Sequence, residues 1–104
     1  MTMTEYIEGV WKLREAVGED FGLIQECNAQ WNMDQVMQFI PEAEKMKLIW
    51  IEDPTRRLGP EARENYIRIK ESLKDVKLSY GGDVMDNRFD YKEWIDRKAM
   101  DIVQ

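Results

Sequence analysis

Segments with helically spaced apolar residues alternate four times with short apolar runs, and that alternation leaves few folds open to the chain. From Thr4 to Val17, the residues Ile7, Val10, Leu13 and Val17 recur at helical intervals, Glu5 and Glu8 favour the helix start, and Gly18 stops it. Phe21 to Gln25 is mostly apolar and too short for a helix, which suits a strand buried on both faces. Asn32 can cap a second helix with the stripe Met33, Val36, Met37, Ile40 and Ala43, inside which Pro41 predicts a kink or a break. Lys47 to Ile51 reads as the second strand, and Pro54 forbids its continuation. Pro60 stands where a third helix would begin, and Ala62, Tyr66, Ile69 and Leu73 carry it to a stop at Lys74-Asp75. Val76 to Tyr80 is the third strand. Asp86 or Asn87 can cap a fourth helix bearing Phe89, Trp94 and Ile95, and Met100 to Val103 makes the fourth strand.

Such alternation demands parallel strands joined by right-handed crossovers, so the expected class is α/β. Four strands cannot close a parallel barrel, which needs about eight. Either two chains combine or this is part of something larger, and exposed strand edges would favour a homo-oligomer or a complementary half. The aromatic residues Trp11, Trp50, Trp94, Phe39 and Phe89 read as core.

A chain of 104 residues is one domain at most. Its 21 acidic residues outnumber 15 scattered Lys and Arg, a net charge of −6, which argues against nucleic acid and anionic membrane as partners. No apolar stretch approaches the length of a membrane span and the amino terminus lacks a secretory layout, so a cytoplasmic protein is expected. One cysteine excludes an internal disulfide, and the absence of histidine removes the commonest base and transition-metal ligand. Zinc chemistry and Ser-His or Cys-His catalysis are excluded within these residues.

Three of the apolar runs end in acid: Leu23-Ile24-Gln25-Glu26-Cys27-Asn28, Leu48-Ile49-Trp50-Ile51-Glu52-Asp53-Pro54 and Leu78-Ser79-Tyr80-Gly81-Gly82-Asp83. Carboxyl ends of neighbouring parallel strands open onto one crevice, so Glu26, Glu52 and Asp83 are candidate ligands for Mg²⁺, a hard cation that takes oxygen donors. Glu26 to Glu52 spans 26 residues and Glu52 to Asp83 spans 31, each the length of one strand-helix unit. Strand alternation puts Glu26 and Asn28 on one face, and Trp50 and Glu52 on one face of the next strand. Gly81 and Gly82 let the backbone turn and approach a ligand before Asp83. Asp53 and Asp86 read as supporting or capping groups. The competing reading makes all three acids solvated: Glu26 in a loop, Glu52 as a helix-cap partner, Asp83 in a turn.

Taken in order, Glu26-Cys27-Asn28-Ala29-Gln30-Trp31-Asn32, Trp50-Ile51-Glu52-Asp53-Pro54, Gly81-Gly82-Asp83 and Met100-Asp101-Ile102-Val103-Gln104 resemble the barrel of the enolase superfamily. The likeness is to the mandelate racemase and muconate lactonizing enzyme branch, and Leu13 to Phe21 resembles the helix that leads into its third barrel strand. The resemblance implies that residues 1–104 are a partial barrel domain, strands three to six, forming about half of a (βα)8 TIM-type barrel. It implies Mg²⁺ on Glu26, Glu52 and Asp83, holding a substrate carboxylate, acidifying the neighbouring C–H and stabilising the enediolate left when a base removes the α-proton. Asn28 matches a position in the substrate site, and many members of the branch are dehydratases or epimerases of sugar acids.

Two departures bear on activity. The first ligand position is usually Asp, and Glu26 is one methylene longer. The family's second-strand Lys motif, sixth-strand Asp or Lys, seventh-strand His and capping domain have no counterpart in these 104 residues, so the chain alone should be catalytically silent. Two readings from other classes compete: a receiver-like α/β regulatory module with an acidic pocket, and a non-catalytic half-barrel scaffold. A receiver resembles a chain that begins with a strand carrying adjacent acids, whereas this one begins with a helix.

Overall fold

Thr2 begins the first helix: its hydroxyl accepts the Glu5 N–H at 3.1 Å while the Glu5 carboxylate accepts the Thr2 N–H, a reciprocal cap that satisfies two otherwise orphaned donors. The structure, a computed structural model, describes residues 1–81 and 88–104. The order is α1 (Met3–Val17), β1 (Gln25–Glu26), α2 (Met33–Lys45), β2 (Trp50–Glu52), α3 (Ala62–Ser72), β3 (Lys77–Tyr80), α4 (Arg88–Asp96) and β4 (Ile102–Val103). All four strands are parallel and lie side by side in chain order. Each of α2, α3 and α4 therefore crosses from one strand to its immediate neighbour, as the alternating pattern requires.

The register decides what shares a face. Glu26 pairs with Glu52, Glu52 with Ser79, and Ser79 with Ile102, so these four positions run across one side of the sheet. Gln25, Ile51 and Leu78 align on the other side. There Ile51 and Leu78 are fully buried in one core with Val36, Phe39, Ile40 and Ala43 of α2 and Ala62, Tyr66 and Ile69 of α3. Burying each such large apolar side chain contributes about 1.5–3 kcal/mol before entropy is set against it.

Several expectations shift. Of the kink or break predicted at Pro41, the break does not occur: the helix runs from Met33 to Lys45 without interruption. Pro41 is exposed while its neighbours Ile40 and Ala43 are buried, and that packing outweighs one missing backbone hydrogen bond. Pro60 lies before the third helix, which starts at Ala62. The first strand is confined to Gln25–Glu26, leaving Phe21 and Ile24 exposed. Arg14 is buried against this segment, its Nη1 donating to the carbonyls of Gly18 and Phe21, each at 2.7 Å, and the Leu23 carbonyl accepts the Ile49 N–H at 2.8 Å before the strand proper begins. The second strand begins at Trp50 because Lys47 turns through a left-handed conformation (φ 58°).

Phe39 and Trp94 join the core as expected, but Trp11 and Trp50 are only half-buried and Phe89 is 67% exposed. The expected caps Asp86 and Asn87 lie outside the described residues. No helix among the described residues is long and apolar enough to cross a membrane.

Candidate metal centre

The carboxyl ends of β1 and β2 bring three acids together. One carboxylate oxygen from each of Glu26, Glu52 and Asp53 lies within 4.8 Å of the others. Glu26 and Glu52 meet because they are register partners on adjacent parallel strands. Asp53 joins them against strand alternation, which would send it to the opposite face. It does so through a left-handed backbone (φ 42°) directly after the strand. Asp83, the third expected ligand, lies outside the described residues, and so does Asp86.

The surroundings of the three acids differ. Glu26 accepts the Asn28 N–H at 2.6 Å, and Glu52 accepts the Trp50 indole N–H at 3.1 Å and a hydrogen bond from the Gln104 side chain. Burial of its carboxyl end raises the Glu26 pKa and the Asn28 N–H opposes this; a hydrogen bond shared with Glu52, and the charges of Glu52 and Asp53, add to the rise. Burial also pushes Glu52 upward, but the donors Gln104, Trp50 and Glu26 outweigh it and leave its pKa lowered. The two neighbouring glutamates are thus shifted in opposite directions, Glu26 upward and Glu52 downward. Asp53 is raised chiefly by burial and further by the charge of Glu52, against the pull of Arg57 and the Gly81 N–H.

Asp53 is almost fully buried; its Oδ2 accepts from Arg57 Nη1 at 2.9 Å, while Oδ1 is buried without an ordinary hydrogen bond. A buried carboxylate oxygen without a well-formed hydrogen bond is costly, and a cation among the three acids would relieve it. The donors are hard oxygens on rigid strand ends, which is the set that Mg²⁺ prefers.

Aromatic packing holds the loop that carries Asp53. Tyr66 OH donates to the Thr55 carbonyl at 2.9 Å and Tyr80 OH to the Arg57 carbonyl at 3.0 Å. Those two rings meet edge to face, and Trp94 of α4 stacks on Tyr80 with centroids 3.9 Å apart. Thr55 in turn donates to the Trp31 carbonyl at 2.6 Å, tying the loop after β2 to the loop after β1.

Asn28 is placed differently from the alternation argument. The strand has ended at Glu26, and Asn28 and Ala29 both take left-handed conformations (φ 55° and 58°), so Asn28 is a turn residue whose backbone serves Glu26. Sequence reasoning also passed over Ser79, fully buried beside Glu52 in the register with its hydroxyl unpartnered, and over Gln104. The strand pattern contained the signal for Ser79. Asp53 was marked as a supporting group, but not its entry into the cluster, since a residue before proline ordinarily stays extended.

Residues 2–104 match the family described as enolase C-terminal domain-like. The chain belongs to that family. Over 93 residues it is 25% identical to mitochondrial enolase superfamily member 1 of Xenopus laevis, covering 88% of this chain and 20% of the relative. Over 100 residues it is 28% identical to L-talarate/galactarate dehydratase of Salmonella typhimurium, covering 96% of this chain and 24% of the relative. A solved structure of L-talarate/galactarate dehydratase, liganded with Mg and L-glucarate, superposes with a TM-score of 0.84 at 26% identity, covering 97% of this chain and 24% of that one. The 3,6-anhydro-D-galactonate cycloisomerase of Zobellia galactanivorans superposes with a TM-score of 0.86 at 22% identity over the whole of this chain and 28% of that one.

The chain thus spans about a fifth to a quarter of the curated relatives it matches. Its four αβ units form about half of a (βα)8 TIM-type barrel.

Proposed function

We propose that this chain is the metal-binding part of an enolase-superfamily barrel, strands three to six over residues 1–104, whose parent reaction is Mg²⁺-assisted α-proton abstraction from a sugar-acid carboxylate. The observation that carries the reading is the meeting of Glu26, Glu52 and Asp53 at the ends of adjacent parallel strands. Similarity to a sugar-acid dehydratase, and to a neighbour liganded with Mg and L-glucarate, supports the reaction class.

Glu26 and Glu52 would hold the ion, with Asp83 as third ligand and Asp53 behind them, held by Arg57. When bound, Mg²⁺ supplies a Lewis acid that polarises a substrate carboxylate and acidifies the C–H beside it. Trp50 and Gln104 orient Glu52 and favour its ionised form. Asn28 would offer substrate a polar contact from the turn after β1. No group in these 104 residues matches the family's Lys or His bases, so the chain alone is expected to be catalytically silent.

The test is calorimetric titration with Mg²⁺ and with Mn²⁺. Removing one carboxylate ligand in Glu52→Gln should weaken binding at least about tenfold. Equal affinity in wild type and variant would reject the site, and turnover of a sugar acid by the isolated chain, abolished in Glu52→Gln, would reject the silence.

A further inference from the structure

Next to Asp53 lies a cavity of about 230 Å³ lined by Ala29, Arg56, Arg57 and Leu58. It adjoins the acidic cluster through Asp53: the Ala29 N–H donates to the Asp53 carbonyl at 2.7 Å, and Arg57 pairs with the Asp53 carboxylate at 2.9 Å. The two arginines are not equivalent. Arg57 is half-buried, committed to Asp53, and its carbonyl accepts from Tyr80. Arg56 is exposed and enters no ion pair or hydrogen bond among the described residues.

We propose that Arg56 anchors the second carboxylate of a dicarboxylic sugar acid whose first carboxylate is held at the metal centre, so that the site selects diacids over monoacids. The proposal rests on the metal reading above and adds the class of acid. A rim with three carboxylates repels a second anionic group on its ligand unless a cation stands nearby, and an uncommitted guanidinium beside the rim meets that need with a planar fork matched to a carboxylate. Arg57, fixed by Asp53, holds the adjoining wall and adds positive charge there. Family membership leaves the choice open, because one structural neighbour is named for a galactonate, a monoacid, and another for talarate and galactarate, which are diacids.

The experiment is calorimetric titration of the Mg²⁺-loaded chain with galactarate and with galactonate, in wild type, Arg56→Ala and Arg56→Lys. Wild type should bind galactarate about tenfold more tightly than galactonate, the gain of one charge-assisted contact. Arg56→Ala should lose that gap while Mg²⁺ and galactonate affinities stay within about twofold, as for other exposed substitutions, and Arg56→Lys should restore part of it. Equal binding of both acids by wild type, a gap that survives Arg56→Ala, or no binding of either acid to the Mg²⁺-loaded chain would each overturn the proposal. Failure to take up Mg²⁺ would overturn the metal reading and this proposal with it.

Discussion

Asp101 shows how a carboxylate outside the candidate centre supports it. Oδ2 accepts the Leu78 N–H at 2.9 Å and Oδ1 pairs with Lys70 at 2.8 Å, so one side chain ties the entry to β4 to both β3 and α3. That fixes the course of the chain toward Gln104, which donates to Glu52. Burial works to raise the Asp101 pKa, but Lys70 and the Leu78 N–H outweigh it and the net shift is downward. A carboxylate lowered in the folded state contributes stability that is present above its unfolded pKa and is lost as pH falls through the folded value. Acid unfolding of Asp101→Asn should therefore show a shallower loss of stability below about pH 4 than wild type. Superimposable pH profiles would show the clamp to be without weight. The acidic residues were legible one by one, but their partners were not: Asp101 appeared only as part of a motif, and its contact with Leu78 lies 23 residues away.

Among the elements, α2 departs most clearly from local rules. Propensity argues for a break at Pro41, yet the helix continues, because Val36, Phe39, Ile40 and Ala43 bury one continuous stripe against the sheet. The reciprocal cap between Asn32 and Gln35 anchors its start, with both hydrogen bonds at 2.9 Å. Pro41 is exposed, so replacing it by Ala removes no core contact and restores a backbone donor. Pro41→Ala should raise stability by about 1–3 kcal/mol, read as a higher urea midpoint at unchanged slope. A lower midpoint would mean that the proline matches a bend the packing requires. Helix identities were readable because an amphipathic stripe repeats over many residues. Strand limits were not, since contacts such as that of Arg14 with the Phe21 carbonyl and the left-handed turn at Lys47 leave no mark in local apolar pattern.

For the molecule as a whole, the decisive fact is a parallel sheet of four strands whose outer members, β1 and β4, are edges among the described residues. Ile24 beside β1 and Val103 in β4 are each about half exposed, so apolar side chains accompany the unpaired backbone at both edges. Two such sheets would supply the roughly eight strands that a closed parallel barrel needs if each β4 met the other's β1. Sedimentation over a range of concentrations should show self-association, reduced in Val103→Lys, and a monomer throughout would contradict pairing through these edges.

The alternation of helical stripes with short apolar runs was enough to establish the α/β class, because periodicity and crossover handedness are local or nearly local constraints, while the strand order is a product of the tertiary structure. The acid at the end of each of three runs made Glu26, Glu52 and Asp83 candidates in the sequence, and the structure brings Glu26 and Glu52 together as register partners, Asp83 lying outside the described residues. The arrival of Asp53 in the cluster, the opposite shifts of the two glutamates and the pairing of Arg57 beside an uncommitted Arg56 were settled only by tertiary structure. Each depends on a backbone turn or on a contact between distant segments, and distance in space is what a linear pattern does not encode.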